Sequence, residues 1–344
     1  MATCKADPSI ERVVVDSFTF PLGVYPVETM TPSPGYTVEF EPADGDDEEG
    51  DWEEWPDRYV YDIVISAHRL EALCHRLFSL LPGRIYPILD VLGHDAYREI
   101  DPYISYDLIG LDRFLDTLRR YHDFFFEDGL CGFGAMSEQP FVYLFVDEHK
   151  IITVRVEPSM KERLDRLLET FDLEPASGDV IPAGADSASH EHRSVLLAPP
   201  DKPDMLSTDE IVERLRDDWE LLLNVDPEEN VDEQGRELGV TSWRVIARCE
   251  VDISAEPLRY AEVLLYAGSL RRAEEIAADA VLELAPKPVD YDIATADRIG
   301  VETLREAMGE AGAALEDEGA IHEEGVIVAR WIDDTPQLSD RIDL

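Results

Sequence analysis

The sequence predicts an α+β protein of two domains, each a mainly antiparallel sheet with helices packed on one side. Three observations carry that expectation. The 344 residues exceed the roughly 100–200 of one ordinary domain. Hydrophobic residues make up 44% of the chain, the usual share for a protein that buries a core. Short β-branched or aromatic runs alternate with stretches whose apolar residues recur at helical spacing. The segment 174–206, rich in Pro, Ala, Ser, Gly and Asp, keeps no sustained periodicity. It divides the chain into a domain at 1–173, a linker, and a domain at 207–344.

In the first domain, Val13–Phe20, Tyr36–Phe40 and Tyr59–Ser66 read as strands. A helix runs from about His68 to Leu81, with Leu70, Leu73, Cys74 and Leu77 on one face and Pro82-Gly83 ending it. Arg84–Leu92 reads as a strand that Pro87 assigns to an edge or bulge. Leu111–Phe125 reads as one helix, with His122 inside its apolar stripe as a satisfied core histidine. Phe141–Val146 and Lys150–Val156 form a hairpin. Ser159 and Glu162 then open a helix as a capping box, each satisfying a free backbone N–H of the other.

The second domain opens on another capping box, Ser207 with Glu210. Thr241–Asp252 alternates as a strand. Leu258–Ala267 reads either as its hairpin partner or as half of a helical hairpin; the strand is preferred, because a lone helical-repeat unit cannot bury its own face. Ser269 caps a helix to Leu284, succeeded by a strand at Tyr291–Arg298, a helix at Val301–Leu315 and a strand at Gly325–Ile332.

Charge excludes several function classes. There are 76 acids against 30 bases, a formal net charge of −46. Counted in successive fifties, the acids number 11, 9, 10, 9, 15 and 10, with 12 in the last 44 residues, so the whole surface is acidic and no tail is. Nucleic acid and anionic membrane surfaces require clustered Lys and Arg, and neither is an expected partner. With 5 Lys against 25 Arg, the even carboxylate coat reads as adaptation to a salty cytoplasm, where screening falls to about 3 Å at 1 M salt; a GC-rich coding bias is the competing explanation. The loop 42–57 alone holds nine acids. No apolar run reaches the roughly 18 residues of a spanning helix, and the N-terminus reads as that of a cytosolic protein. Four dispersed cysteines exclude a disulfide framework, and Cys74 and Cys249, on apolar faces, read as inert.

The densest chemistry lies in the connection Gly93–Gly110, where His94, Asp95, Arg98, Asp101 and Asp107 come after a strand end among three tyrosines. Such connections carry ligands in many α/β sheets, and a His–Asp neighbour pair serves in acid/base work or metal ligation; the structural alternative is capping of backbone ends. His68, Glu71 and His75 share a helix face at a spacing that can hold a transition metal, or simply form a solvated face. Asp226–Glu237 matches calcium-loop spacing but has Val231 where the turn wants glycine. Cys131-Gly-Phe-Gly134 lacks the rest of a phosphate loop. The leading expectation is a non-catalytic cytoplasmic binding or regulatory protein acting through protein contacts or a small ligand. No cofactor is evident. The alternative is a metal-dependent hydrolase sited in the 93–110 loop, with His94, Asp95 and Asp101 catalytic, a divalent metal bound, and His68 and His75 as further ligands.

Overall fold

A computed structural model describes residues 4–43, 55–176, 190–197, 205–250, 258–284, 290–309 and 323–332. Most of the acidic loop (44–54), most of the linker (177–189 and 198–204), the end of the helix expected to reach Leu315, and His322 lie outside the described residues. The chain is α+β with mainly antiparallel sheets, and it divides into two compact units. One comprises residues 1–91 and 102–223, the other residues 92–101 and 224–344. This division falls elsewhere than the Pro- and Ala-rich stretch.

The first unit begins with the short strands β1 (Val14–Val15), β2 (Phe18–Thr19) and β3 (Val24–Pro26), then β4 (Gly35–Glu41) and β5 (Arg58–Val64). Helix α1 (Ala67–Phe78) is next, then β6 (Arg84–Leu92), β7 (Ile100–Ile104) and β8 (Ile109–Gly110). After α2 (Leu111–Arg120) and α3 (His122–Phe126) come β9 (Cys131–Glu138), β10 (Phe141–Val146), β11 (Ile152–Val156), α4 (Lys161–Glu169) and β12 (His190–His192). Helix α5 (Thr208–Trp219) and β13 (Leu222–Leu223) complete it. The sheet runs β13-β7-β6-β9-β10-β11-β5-β4, with β8 beside β6.

Period-two burial fixes its register: Tyr61 and Ile63, Val142 and Leu144, and Ile152 and Val154 all enter one core, where α1 buries Leu70, Leu73, Cys74 and Leu77. Helix α5 joins this same core. Trp219 stacks on Phe125 with centroids 5.8 Å apart and lies 4.9 Å from Phe114. Ser207 caps α5, accepting from Glu210 N at 3.3 Å, while Glu210 Oε2 accepts from Ser207 N at 2.9 Å.

Four local expectations change. The single helix over 111–125 breaks at Tyr121, which leaves helical backbone (φ −109°, ψ 42°) and shifts the phase of the next turn. His122 therefore leaves the apolar stripe and is half-buried. Ser159 does not cap α4: the 3-10 turn Pro158–Met160 places the helix start at Lys161, and Ser159 Oγ donates to Glu157 instead. Pro87 sits inside the sheet, between β9 and the β7 side, where β8 pairs only with Arg84 and Ile85 and the ladder is discontinuous. The connection 93–110 is no loop of eighteen residues, because β7 and β8 occupy most of its second half.

Among the described residues, the second unit holds a four-stranded antiparallel sheet ordered β16-β14-β15-β17, from β14 (Thr241–Glu250), β15 (Leu258–Ala267), β16 (Asp290–Arg298) and β17 (Gly325–Ile332). Leu258–Ala267 is a strand, paired with all ten residues of β14. Between the strands run α6 (Leu270–Leu284) and α7 (Val301–Met308), the latter ended by Gly309 at φ +59°. The small buried residues Ala273, Ala277 and Ala280 let α6 lie close on the sheet. Leu304 and Ala307 of α7 pack on Leu264, whose side chain alternates with the buried Val263 and Leu265. Residues 92–101, the tip of the β6–β7 hairpin, belong to this unit.

Candidate functional site

The 92–101 tip is fixed to β16 by main chain and side chain together. Ala96 N donates to Arg298 O at 2.8 Å, and Arg298 N donates to Asp95 Oδ2 at 2.9 Å. The Arg298 guanidinium grips the same carboxylate through Nε and a terminal nitrogen, at 2.8–3.0 Å. It also donates to Asn230 Oδ1 at 3.1 Å and to Val231 O at 2.6 Å, and lies over the Tyr97 ring at 5.4 Å. Asp95 additionally accepts from Tyr97 N at 2.9 Å. Both ionic side chains are almost fully enclosed, at 5% and 0% exposure for Arg298 and Asp95. Asp95 is thus committed to a buried ion pair.

Asp101 is engaged as well. Its Oδ1 accepts from Arg98 Nε at 2.6 Å, and its carboxylate packs against Gly93, where a Cβ would come within 2.5 Å of Oδ2. Burial pushes the Asp101 carboxyl up, and the adjacent Arg98 opposes that rise. His94 is exposed and forms one wall of a cavity of about 100 Å³. The floor is strand surface, with Arg244 and Ile246 from β14 and Thr295 and Asp297 from β16. Gly300 and Thr303 close it at the start of α7.

Asp297 is the group that sequence reasoning missed. It is half-buried, and no hydrogen bond or ion pair reaches it among the described residues. Burial and the nearby Asp101 charge push its carboxyl up to about 7, against the opposing influence of His94. A signal existed: Asp297-Arg298 is a charged pair ending an otherwise alternating strand. It went unread because spacing could not connect position 95 with position 298.

The other predicted residues separate by unit. His68 and His75 lie on α1 of the first unit. His68 is exposed, while His75 Nε2 lies 3.5 Å from Glu71 Oε1. Glu71 Oε2 is 3.4 Å from Nε2 of His122, whose Nδ1 is 2.8 Å from Asp123 Oδ1. The Asp123 hydrogen bond holds His122 above the usual histidine range. The helix face therefore gathers His75, Glu71 and His122, and His122 comes from α3. Among the described residues, no group of three or more His, Cys, Asp or Glu side chains is arranged to hold a metal ion.

In the calcium-like segment, Asp232 accepts from Gln234 N, Arg236 N and Arg236 Nε at 2.6–2.9 Å, so its oxygens cap a turn. Gly132 and Gly134 lie on β9 beneath the Phe145 ring, where a Cβ would approach ring atoms to 2.7 and 2.9 Å. They serve packing. Burial pushes the thiols up, to about 11 for Cys4 and Cys249 and about 12 for Cys131.

No helix among the described residues is long and apolar enough to cross a membrane. Comparison with protein families, curated proteins and solved structures finds no match for this chain.

Proposed function

We propose that this is a non-catalytic binding protein of a salty cytoplasm, whose ligand site is the small polar cavity of the second unit. One observation carries the proposal. Of three neighbouring carboxylates, Asp95 and Asp101 are held by arginines and are not part of the cavity lining, whereas the Asp297 side chain lines the cavity with no hydrogen bond or ion pair among the described residues. A half-buried carboxyl without a hydrogen bond is costly to the fold, and a ligand donor would relieve that cost. Asp95 acts at a distance, as the residue that positions His94 at the rim. The charge of −46 argues against nucleic acid as partner, and its even spread suits solvation in high salt.

The test is thermal unfolding in high salt across a panel of small polar metabolites, for the natural sequence and Asp297→Asn. A ligand at 100 times its Kd adds about 2.7 kcal/mol. The expected result is a stabilising ligand whose effect disappears in Asp297→Asn. A panel that stabilises both proteins equally, or neither, would overturn the cavity assignment; turnover of a stabilising compound would overturn the non-catalytic assignment.

A further inference from the structure

We propose that the cavity takes a small primary alkylamine in its ammonium form, held by Asp297 and by the hydroxyls of Thr295 and Thr303. The inference rests on the binding function proposed above and names its ligand class.

Strand geometry gathers the acceptors. Thr295 and Asp297 stand two residues apart on β16, so their side chains share one face of the sheet. Ile246 and Arg244 of β14 are their direct cross-strand partners. Thr303 faces the same cavity from the first turn of α7. Among the described residues, Asp297 makes no hydrogen bond or ion pair, and neither threonine hydroxyl makes a hydrogen bond. The cavity therefore holds three oxygen groups with acceptor capacity unused. A primary ammonium has three N–H donors and no acceptor, which matches that set.

Charge points the same way. Burial, then the charges of Asp101 and Asp95, push the Asp297 carboxyl up against the opposing His94 and Arg98, so this corner of the cavity favours a cation. The lining guanidinium of Arg244 is engaged elsewhere, its Nε donating to Glu262 Oε1 of β15 at 2.8 Å. An anion would meet Asp297 unfavourably. Ala96, Ile246 and Ile299 supply apolar wall for a short carbon chain. Size narrows the class further. A cavity of about 150 Å³ holds benzene, so the 100 Å³ here corresponds to about four non-hydrogen atoms. Propylamine has that size.

The experiment is isothermal titration of the full chain at pH 7 in 1 M KCl with propylamine, tetramethylammonium, propanol and propionate. Propylamine should bind, with the other three at least about tenfold weaker, since propanol and propionate lack the positive charge and tetramethylammonium lacks the N–H donors. Binding should release protons as the ammonium ionises Asp297, seen as a heat that changes with the buffer's ionisation enthalpy. Asp297→Asn removes a charge that burial disfavours, so this variant should fold, and it should lose both the binding and the proton release. Thr303→Val should weaken propylamine while leaving the proton release per bound ligand in place. Propylamine binding equally to Asp297→Asn would mean attraction to the acidic coat alone and would overturn the site. Propionate, propanol or tetramethylammonium binding as tightly as propylamine, with loss in Asp297→Asn, would overturn the ammonium class while leaving the cavity in use. No binding by propylamine, together with a different compound from the stabilisation panel that depends on Asp297, would also overturn the class alone. Failure of every compound in both experiments would overturn class and binding function together.

Discussion

Asp95 accepts from Arg298 and Tyr97 in a site that excludes water, whereas Asp297, next to Arg298 in the chain, makes no such contact among the described residues. Their substitution should therefore have opposite signs. Asp95→Ala leaves the Arg298 guanidinium buried and uncompensated, and breaking one side of such a pair costs about 3–5 kcal/mol. Urea unfolding of the variant should show a lowered midpoint of that size; a loss below about 1 kcal/mol would mean the pair is more hydrated than its geometry implies. Asp297→Asn should leave stability unchanged or raise it at pH 8, where the natural carboxyl is mostly ionised. Of the candidate residues named from sequence, the acidic neighbours of His94 were legible as a cluster, yet their roles were not. A role depends on which arginine arrives from some 200 positions away.

At the scale of elements, the two capping sequences provide a contrast. Ser207 and Glu210 form the full reciprocal pair, so Ser207→Ala should cost about 1 kcal/mol. Ser159 begins the same four-residue pattern but lies in a 3-10 turn, and Ser159→Ala should change stability by less than about 0.5 kcal/mol. Equal losses in chemical unfolding would contradict this difference. Helix α5 provides a second check. Its Trp219 fills the space between Phe114 and Phe125, so Trp219→Ala should cost about 3–5 kcal/mol through the first unit's core. The near-ultraviolet circular dichroism of that aromatic cluster should weaken with it; a variant that leaves the signal intact would place α5 outside this core. The capping box marked where α5 starts, but the sequence could not say which sheet receives its apolar face, since both units offer one.

For the whole molecule, pH and salt act through the carboxylates. Burial pushes Asp90 and Asp147 of the first unit up to about 7, each raised further by the Glu148 charge, and Asp297 of the second stands there as well. A carboxyl with a folded pKa above its unfolded value binds more protons when folded. Its stabilising contribution is complete below about pH 4 and is lost as pH rises through 7. His122 works in the same direction, being held above its ordinary value in the folded state. Asp123, lowered first by its His122 hydrogen bond, instead contributes above its unfolded pKa and loses that contribution in acid. The unfolding temperature should therefore decline from about pH 5 to 8, and combining Asp90→Asn with Asp147→Asn should flatten the decline. A stability that rises over this interval would show that these carboxyls are better solvated than their positions indicate. Added salt should raise the unfolding temperature throughout, because screening relieves repulsion within a coat of net charge −46.

The sequence by itself determined the composition of this surface, the α+β class, and most strands and helices, since charge, apolar spacing and capping residues act over a few positions. It left Leu258–Ala267 open between strand and helix with the strand preferred, and the structure pairs it as a strand along Thr241–Glu250. Only the tertiary structure decided that Tyr121 interrupts a helix, that Pro87 sits inside a sheet, and that Trp219 belongs to the first core. The tertiary structure alone also joined Asp95 to Arg298 and left Asp297 facing a cavity. These outcomes depend on contacts between residues far apart in the chain, and local spacing carries no record of such contacts.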